Sequence, residues 1–369
     1  MPSIPSSPGT VIQIGPLPPP YGGIASVIEN LRTALLTRGW SVPVLRTGRQ
    51  GAQSDLQVLR TDVQNPARFR KLLDENPGAA VHIHTGSNFQ FFRMIPLVNS
   101  WLRQRERGPL VIQIHSGNFD AFLTRIGPLG RRTVRSVLNR AAQVFVVNSA
   151  QAEGLTARLQ LAKPVRFLPN GVDANRFQMG PKDLSRHYLN LPSDRPALVN
   201  VAALLPYKNQ AFLMQVAEAL AAAKPRPRIY IVGEGPGRAE LEQQVRARGL
   251  EDHVTLVGAA QQDALPHWYR AADAFVLPSL HEAFPVVVLE AWASGIPVVV
   301  GNAGIIPELL AQRRELGAHA KANYPESWRD AIAATLVEGR PEACRAMALR
   351  YSWDEIAQTL ARVYRGGEP

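Results

Sequence analysis

The sequence predicts an α/β protein built from two doubly wound parallel sheets. Short apolar, β-branched runs alternate with longer segments of helical period along the 369 residues. Runs this apolar are typical of strands buried on both faces, as in parallel sheets covered by helices. The alternation restarts after residues 179–182, so we expect one domain over 1–180 and a second over 181–350.

Eleven strands are predicted, six before this junction and five after it. The first six span residues 10–14, 41–45, 80–84, 110–115, 143–147 and 165–168. The other five span residues 197–202, 228–232, 253–257, 273–277 and 297–300. Helical segments lie between them, for example 25–37, 210–223 and 238–248. Ligands bind beyond the carboxyl ends of such strands, so two facing domains would form a binding cleft.

The composition is typical of a globular protein of a reducing compartment. Cys344 is the single cysteine, so no disulfide framework exists and a cytoplasmic location is expected. The first residues have neither the basic nor the apolar region of a signal peptide. The longest apolar run, 286–300, is interrupted by Glu290 and Pro297, so no transmembrane helix is expected.

The excess of positive over negative charge lies entirely in the first half of the chain. Residues 1–185 contain 22 Lys and Arg against 10 Asp and Glu, whereas residues 186–369 contain 19 against 20. The densest part, interleaved with apolar side chains, contains Arg93, Arg103, Arg105, Arg107, Arg125, Arg131, Arg132, Arg135 and Arg140. Such a surface would accept an anionic membrane, an acidic ligand or nucleic acid, or would simply be solvated. No nucleic-acid-binding motif accompanies the charge, so peripheral attachment to the inner face of a membrane is preferred.

Two glutamates eight residues apart flank the start of a predicted helix. Glu282 lies in the loop after strand 273–277, and Glu290 lies inside the helix within an apolar run. The unpaired amides of a helix start favour phosphate, and a carboxylate one turn further in suits a ribose. Two solvated carboxylates would show the same spacing, but an unpaired charge in an apolar run is costly. The pattern therefore indicates a nucleotide-sugar, with Glu282 reaching hydroxyls beyond the diphosphate.

Two glycine-containing loops follow predicted strands. Gly22 and Gly23 lead into the first helix, where they would either expose amides to a ligand or form a simple tight turn. Gly233 and Gly235 follow strand 228–232 but lack the third glycine of a dinucleotide-binding fingerprint. NAD binding is therefore not favoured.

Taken in order, these segments resemble the motifs of the retaining glycosyltransferases of family GT4. The matching segments are Gly22-Gly23-Ile24, residues 114–117, Pro169-Asn170-Gly171-Val172-Asp173 with Phe177, residues 232–236, residues 277–290, residues 295–299 with Glu308, and the ending 351–364. The resemblance runs almost end to end. It implies a GT-B fold of two facing Rossmann-like domains, with residues 351–369 crossing back to the first domain as a helix.

The resemblance implies a role for each matching residue. Glu290 would bind ribose hydroxyls and Glu282 would contact the transferred sugar. Lys208 would neutralise the diphosphate, and His115 would lie near the sugar and the leaving phosphate oxygen. Nucleotide-sugar binding would further involve Gly22, Gly23, Gly233, Ala283, Phe284, Pro285 and Val286. The candidates on the acceptor side are Tyr21, His84 and Asn170.

The implied reaction moves a sugar from a UDP- or GDP-sugar to a glycan or lipid-linked acceptor with retention of configuration. The leaving phosphate would take the proton of the acceptor hydroxyl, so catalysis would consist of positioning and charge stabilisation. No Asp-x-Asp occurs in the chain. This fits charge neutralisation by lysine and helix amides, with no metal or other cofactor expected.

Two positions depart from the family pattern. Ala203 stands where the family usually has a diphosphate-binding arginine, and Ile305 stands where it often has a second glycine. Either another cation compensates for Ala203 or transfer is slow. Two alternatives therefore stay open: a non-catalytic protein that binds a nucleotide-sugar or scaffolds a partner, and a nucleotide-sugar epimerase.

Overall fold

The chain folds into two compact units, which we describe from a computed structural model. Unit 1 comprises Met1–Gly171 and Trp353–Pro369, and unit 2 comprises Val172–Ser352. The sequence predicts boundaries at 180 and 350, close to these two junctions. The structure describes residues 8–17, 23–47, 58–59, 66–86, 90–116, 119–261, 263–282 and 284–369.

The described part of unit 1 contains a seven-stranded parallel sheet. Its strands are β1 (Val11–Gly15), β2 (Val44–Arg46), β3 (Val58–Leu59), β4 (Ala80–Thr85), β5 (Leu110–Ile114), β6 (Gln143–Val146) and β7 (Arg166–Phe167). They are ordered β3-β2-β1-β4-β5-β6-β7, and each neighbouring pair is parallel. The helices are α1 (Gly23–Leu36), α2 (Pro66–Glu75), α3 (Gln90–Arg93), α4 (Ile95–Leu102), α5 (Phe119–Arg125), α6 (Gly127–Leu138) and α7 (Ser149–Leu159).

Unit 2, as far as the structure describes it, contains a six-stranded parallel sheet. Its strands are β8 (Ala197–Val201), β9 (Arg228–Val232), β10 (Val254–Gly258), β11 (Ala274–Leu277), β12 (Val298–Val300) and β13 (Gly317–His319). They are ordered β10-β9-β8-β11-β12-β13. The helices are α8 (Lys182–Tyr188), α9 (Phe212–Ala219), α10 (Arg238–Ala247), α11 (Leu265–Ala271), α12 (Val286–Ala293), α13 (Ile306–Gln312), α14 (Pro325–Glu338) and α15 (Pro341–Leu349). Short 3₁₀ helices occur at Pro206–Lys208 and Arg314–Leu316.

The two parallel sheets confirm the predicted fold class. Each of the eleven predicted strands overlaps an observed one. Every residue of β1 and β4 is buried, whereas β7 and the middle of β10 are half-buried. Strands β3 and β13 were not predicted from the sequence. They have two and three residues, respectively, and lack the longer apolar run that identified the others.

The last helix of the chain, α16 (Trp353–Tyr364), belongs to unit 1. Its apolar side chains, such as Trp353 and Leu360, form one buried cluster with Val11 of β1 and Leu31 of α1. A side chain at Gly171 would lie 2.5 Å from the Trp353 ring, so the close approach there requires glycine. None of the helices in the described part of the chain has both the length and the apolar character of a membrane span.

The strand order reverses on either side of β1 in unit 1 and of β8 in unit 2. In doubly wound sheets, the crevice at this reversal, outside the carboxyl ends of the strands, is where ligands bind. In unit 2 the reversal places the loop that follows β8 next to the loop that follows β11. The fold therefore brings together two segments that are far apart in sequence.

Asp273 fastens α8 to the opposite, amino-terminal edge of the unit 2 sheet. Its carboxylate accepts hydrogen bonds from Arg186 and Lys182, each at 2.6 Å, and from the N–H of Ala197 at 2.7 Å. The Arg186 side chain is only 6% exposed and also donates to the carbonyl of Ala271 at 3.0 Å. The guanidinium is thus desolvated and depends on this carboxylate.

Replacing Asp273 by Ala should destabilise unit 2, because it leaves the Arg186 charge buried without its partner. We expect the free energy of unfolding to fall by about 3 kcal/mol, the usual cost of breaking a buried ion pair. Urea unfolding followed by tryptophan fluorescence measures this change. The control, Arg248→Ala, removes an exposed pair with Glu218 and should cost less than about 1 kcal/mol. Equal losses in the two variants would contradict the assigned role.

Candidate functional site

Lys208 and Glu282 form an ion pair at the carboxyl ends of β8 and β11. The distance from Lys208 Nζ to Glu282 Oε1 is 2.6 Å, and the two side chains are only 16% and 13% exposed. They are 74 residues apart in sequence. The structure therefore places two of the predicted catalytic residues side by side, at the strand-order reversal of unit 2.

The loop that carries Lys208 is held by hydrogen bonds to the loop after β11. The N–H of Leu280 donates to the carbonyl of Tyr207 at 2.9 Å, and Asn209 Nδ2 donates to the carbonyl of Pro278 at 3.3 Å. Asn209 has a φ of 56°, a left-handed conformation that asparagine tolerates better than most residues. These contacts hold the loop, and the ion pair with Glu282 holds the ammonium group.

Glu282 is also held through its backbone. It forms an isolated parallel bridge with Ala303, which follows β12. The half-buried carboxylate is thus attached to two neighbouring loops, through Lys208 and through Ala303. The predicted ligand-binding residue Ala283, next in sequence, lies outside the described residues.

Glu290 lies in α12 and has a protein partner. The hydroxyl of Tyr269 donates to Glu290 Oε2 at 2.6 Å. Desolvation raises the pKa of Glu290, opposed by this hydrogen bond and by the charge of Arg176, and it raises the pKa of Tyr269 well above the usual range. Sequence reasoning proposed only ligand hydroxyls as partners of this carboxylate. It missed Tyr269, which lies on a different helix and carries no motif.

The start of α12 has the features of an anion-binding helix terminus. Pro285 occupies the N-cap and has no side chain that could cap the amides, and the first turn contains no acidic residue. Val286 begins the helix half-buried, and Phe284 packs against Tyr351 with ring centroids 5.5 Å apart. The partial positive charge of the helix terminus is therefore not neutralised by the chain's own first turn.

Gly233 has a structural reason to be glycine. Its φ is +151°, and a Cβ there would lie 1.9 Å from the carbonyl oxygen of Ala202. Its N–H donates to the carbonyl of Gly258 at 2.8 Å. The turn after β9 therefore packs closely against the loop that leads to Lys208.

The two departures from the family pattern differ in their surroundings, since Ala203 is in a loop and Ile305 is half-buried at the start of a helix. Ala203 is exposed, and its carbonyl accepts a hydrogen bond from Gln210 Nε2 at 3.0 Å. Ile305 is the N-cap of α13 with a φ of −78°, a conformation open to any residue. The backbone at 305 therefore does not require the glycine that the family often has there.

In unit 1 the structure joins His84 to His115. His84 Nδ1 and His115 Nε2 are 2.9 Å apart, and the backbone N–H of His115 donates to the carbonyl of Thr85 at 2.8 Å. His84 is 4% exposed, and His115 is half-buried at the carboxyl end of β5. A residue predicted for the acceptor side and one predicted for catalysis are therefore direct partners.

The remaining predicted site residues of unit 1 are less informative. Gly23 is the first residue of α1. Asn170 is half-buried in the segment after β7. Tyr21 and Gly22 lie outside the described residues.

Two family models match the chain, one in each half. Residues 21–176 match the model described as Glycosyltransferase Family 4, and residues 181–350 match the model described as Glycosyl transferases group 1. The D-inositol 3-phosphate glycosyltransferase 2 of Catenulispora acidiphila is 31% identical over 286 residues, which is 72% of this chain and 67% of that protein. A GDP-mannose-dependent alpha-(1-6)-phosphatidylinositol monomannoside mannosyltransferase of Mycobacterium tuberculosis is 28% identical over 257 residues, 65% of this chain and 66% of that protein.

A solved structure resembles the chain over nearly its full length. Anabaena HepE in complex with UDP has a TM-score of 0.72 over 97% of this chain and 100% of that chain, at 20% identity. This likeness shows the fold, the predicted GT-B class. In sequence, by contrast, the chain spans between about half and two thirds of the length of the curated relatives it matches.

Fold and family models together define an enzyme of the glycosyltransferase class. The chain belongs to the group 1 glycosyl transferases of glycosyltransferase family 4. This confirms the resemblance on which the roles of Lys208, Glu282 and Glu290 were assigned, while the roles themselves stay predictions.

Two buried histidines, His82 and His84, and the half-buried His115 should make unit 1 sensitive to acid. Desolvation lowers the pKa of His82 from 6.5 to about 3 and that of His115 to about 3, and it holds the pKa of His84 well below its ordinary value. The unfolded chain takes up these protons below pH 6.5, whereas folded His82 and His115 take them up only near pH 3 and folded His84 only well below its ordinary pKa. The contribution of these histidines to the free energy of unfolding is therefore fully present above pH 6.5. It is lost as the pH falls toward 3, by up to about 1.4 kcal/mol per histidine per pH unit.

Urea unfolding at pH 7.5, 6.0 and 5.0 measures this loss. His84→Asn removes one of the three groups and should make the decline shallower. His281→Gln, which changes an exposed histidine, should leave the decline as in the wild type. Identical pH dependence in all three proteins would show that the buried histidines are not its cause.

Proposed function

We propose that this protein transfers a sugar from a nucleotide-sugar to a glycan or lipid-linked acceptor with retention of configuration. The 2.6 Å pair of Lys208 and Glu282 at the strand-order reversal of unit 2 carries this proposal. Two similar proteins support the donor class, since one is named as GDP-mannose-dependent and the other was solved with UDP. We therefore propose a UDP- or GDP-sugar as donor.

Each residue of the unit 2 site has a distinct task in this proposal. The diphosphate lies against the start of α12 and accepts a hydrogen bond from Lys208, whose three N–H donors can serve Glu282 and a phosphate oxygen together. Glu282 binds hydroxyls of the transferred sugar. Glu290, oriented by Tyr269, binds the ribose hydroxyls.

The transfer step breaks the bond between the anomeric carbon and the phosphate oxygen. The acceptor hydroxyl attacks from the same face, and its proton passes to the leaving phosphate. Lys208 stabilises the negative charge that develops on the nucleoside diphosphate, and His115 acts as a neutral imidazole in this step. We propose that no metal or other cofactor takes part, because the lysine and the helix amides meet the charge.

Donor-dependent nucleotide release tests the function. The protein is incubated with UDP-, GDP- and ADP-sugars, with and without crude lipid-linked acceptor, in the presence and absence of EDTA. We expect release with one nucleotide-sugar, unchanged by EDTA and lowered about ten- to hundredfold in Lys208→Ala and Glu282→Ala, because each loses a charge-assisted contact. Lys321→Ala, an exposed lysine of unit 2, is the matched control.

The other outcomes distinguish the alternatives. Near-normal release in Lys208→Ala would refute the assigned role of this residue. Specific binding of one nucleotide without release would favour the non-catalytic alternative, with Ala203 as its cause. A new nucleotide-sugar formed without any acceptor would indicate an epimerase.

We further propose that the protein attaches peripherally to an anionic membrane, at its cytoplasmic face, through the basic surface of unit 1. Helices α4 and α6 contain no acidic residue. A cavity of about 310 Å³ between them is lined by Arg132 and Arg140 together with apolar and uncharged polar side chains. Leu129, at its edge, is 80% exposed. This combination suits lipid headgroups, and a lipid-linked acceptor in polysaccharide or glycoconjugate synthesis would be presented there.

Charge reversal tests the membrane attachment. Arg103, Arg105 and Arg107 are exposed at the end of α4, so the triple change to Glu should lower binding to anionic vesicles more than tenfold, at about 1 kcal/mol for each basic residue near the surface. Sedimentation with phosphatidylserine vesicles measures the change, and neutral vesicles provide the baseline. Arg248→Glu in unit 2 is the control. Unchanged vesicle binding in the triple variant would overturn the proposal.

A further inference from the structure

A line of polar side chains is buried on one face of the unit 1 sheet. Side chains alternate along a strand, so His82 and His84 share one face of β4. The register places Gln13 of β1 beside His82, and Gln113 of β5 beside His84. All four residues are at most 4% exposed. Burying so many polar groups is costly unless hydrogen bonds or a function compensate.

Three side-chain contacts connect the last helix of the chain to His115. The Tyr364 hydroxyl and His82 Nδ1 are 2.6 Å apart. The His82 and His84 rings lie against each other with centroids 4.0 Å apart and planes inclined by 32°. His84 Nδ1 then reaches His115 Nε2 at 2.9 Å. The line therefore runs from α16 to the carboxyl end of β5.

The hydrogen bond between His84 and His115 determines which nitrogen of His115 carries the proton. Both rings are neutral because desolvation lowers their pKa, so each has a single N–H. Either His84 donates and His115 is protonated on Nδ1, or His115 donates from Nε2 and its Nδ1 is bare. His84 Nε2 has no hydrogen-bond partner among the described residues. A buried N–H without a partner is rarer than a buried acceptor without one, which favours donation by His84.

We propose that His84 is a positioning residue that holds His115 in the tautomer protonated on Nδ1, the form that can donate a hydrogen bond to the leaving phosphate oxygen. His82, hydrogen-bonded to Tyr364, fixes the plane of the His84 ring through the contact between the two rings. The inference rests on the proposed function of His115 in sugar transfer, and it adds the residues that set its protonation. It also gives α16 a part in catalysis without contact with the substrate.

The competing explanation is that these histidines only fill the core. An apolar ring of similar volume at position 84 would then cost stability, because it leaves His115 Nε2 without its partner, but it would not lower kcat. His84→Phe separates the two explanations, because it keeps the ring and removes both nitrogens. His84→Asn restores a side-chain N–H near the position of Nδ1.

Nitrogen NMR of the full chain with labelled histidine provides the first readout. In the wild type, we expect His115 to show the signals of a protonated Nδ1 and a bare Nε2, with His115→Gln identifying its peaks. His84→Phe should shift His115 toward the other tautomer, and His84→Asn should restore the wild-type pattern. Gln13→Leu, on the same face but in β1, should leave the His115 signals unchanged. A proton on Nε2 of His115 in the wild type would overturn the proposal, even if His84→Phe does not fold.

Steady-state nucleotide release provides the second readout. His84→Phe should lower kcat by about ten- to hundredfold, the cost of a misplaced catalytic group, with little change in the donor KM. His84→Asn should recover part of kcat. Wild-type kcat and an unchanged His115 tautomer in His84→Phe would refute the inference. If the wild type itself releases no nucleotide, the proposed function fails separately, and the NMR measurement still decides the tautomer.

Discussion

A parallel sheet delivers the carboxyl ends of all its strands to one edge, and both candidate sites depend on this constraint. In unit 2, β8 and β11 are neighbours although 72 residues separate the end of one strand from the start of the other. Their loops meet there, and Lys208 pairs with Glu282. In unit 1 the same geometry places His84 of β4 beside His115, which follows β5. Strand order, rather than any local motif, makes these residues partners.

Desolvation is the second physical theme, because it determines the charge state of the groups that the sheets bring together. Glu290 lies in an apolar helix, where the Tyr269 hydroxyl donates a hydrogen bond to it and burial raises its pKa. The buried histidines are neutral for the same reason. Lys208 and Glu282 instead form an ion pair in which both side chains are still partly exposed to solvent. Among the described residues, the carboxyl ends of the strands thus present the Lys208–Glu282 ion pair in unit 2 and neutral imidazoles in unit 1, groups that suit the proposed stabilisation of charge on a leaving phosphate.

Much of the fold was predictable because burial on both faces leaves a plain trace in the sequence. The run that became β11 is apolar throughout, whereas those that became β1 and β4 are buried throughout but include polar residues such as Gln13, His82 and His84, and each strand appears where it was expected. The strands β3 and β13 were missed because neither is part of a longer apolar run in the sequence. The glutamate pair and Lys208 were identified by motif. The roles of Tyr269 and Tyr364 were not identified, because the sequence does not show whether the hydroxyl of a helical tyrosine forms a hydrogen bond.

The sequence by itself determined the fold class, the family and the loops that carry the chemistry, because apolar periodicity and motif spacing are local properties of the chain. Only the tertiary structure decided that Tyr269 is the partner of Glu290, that Lys208 is paired with Glu282, and that His115 has a histidine as its partner. The physical reason is that a hydrogen bond depends on where two side chains lie in space. Periodicity records which residues are buried, and it does not record which distant residues are buried together.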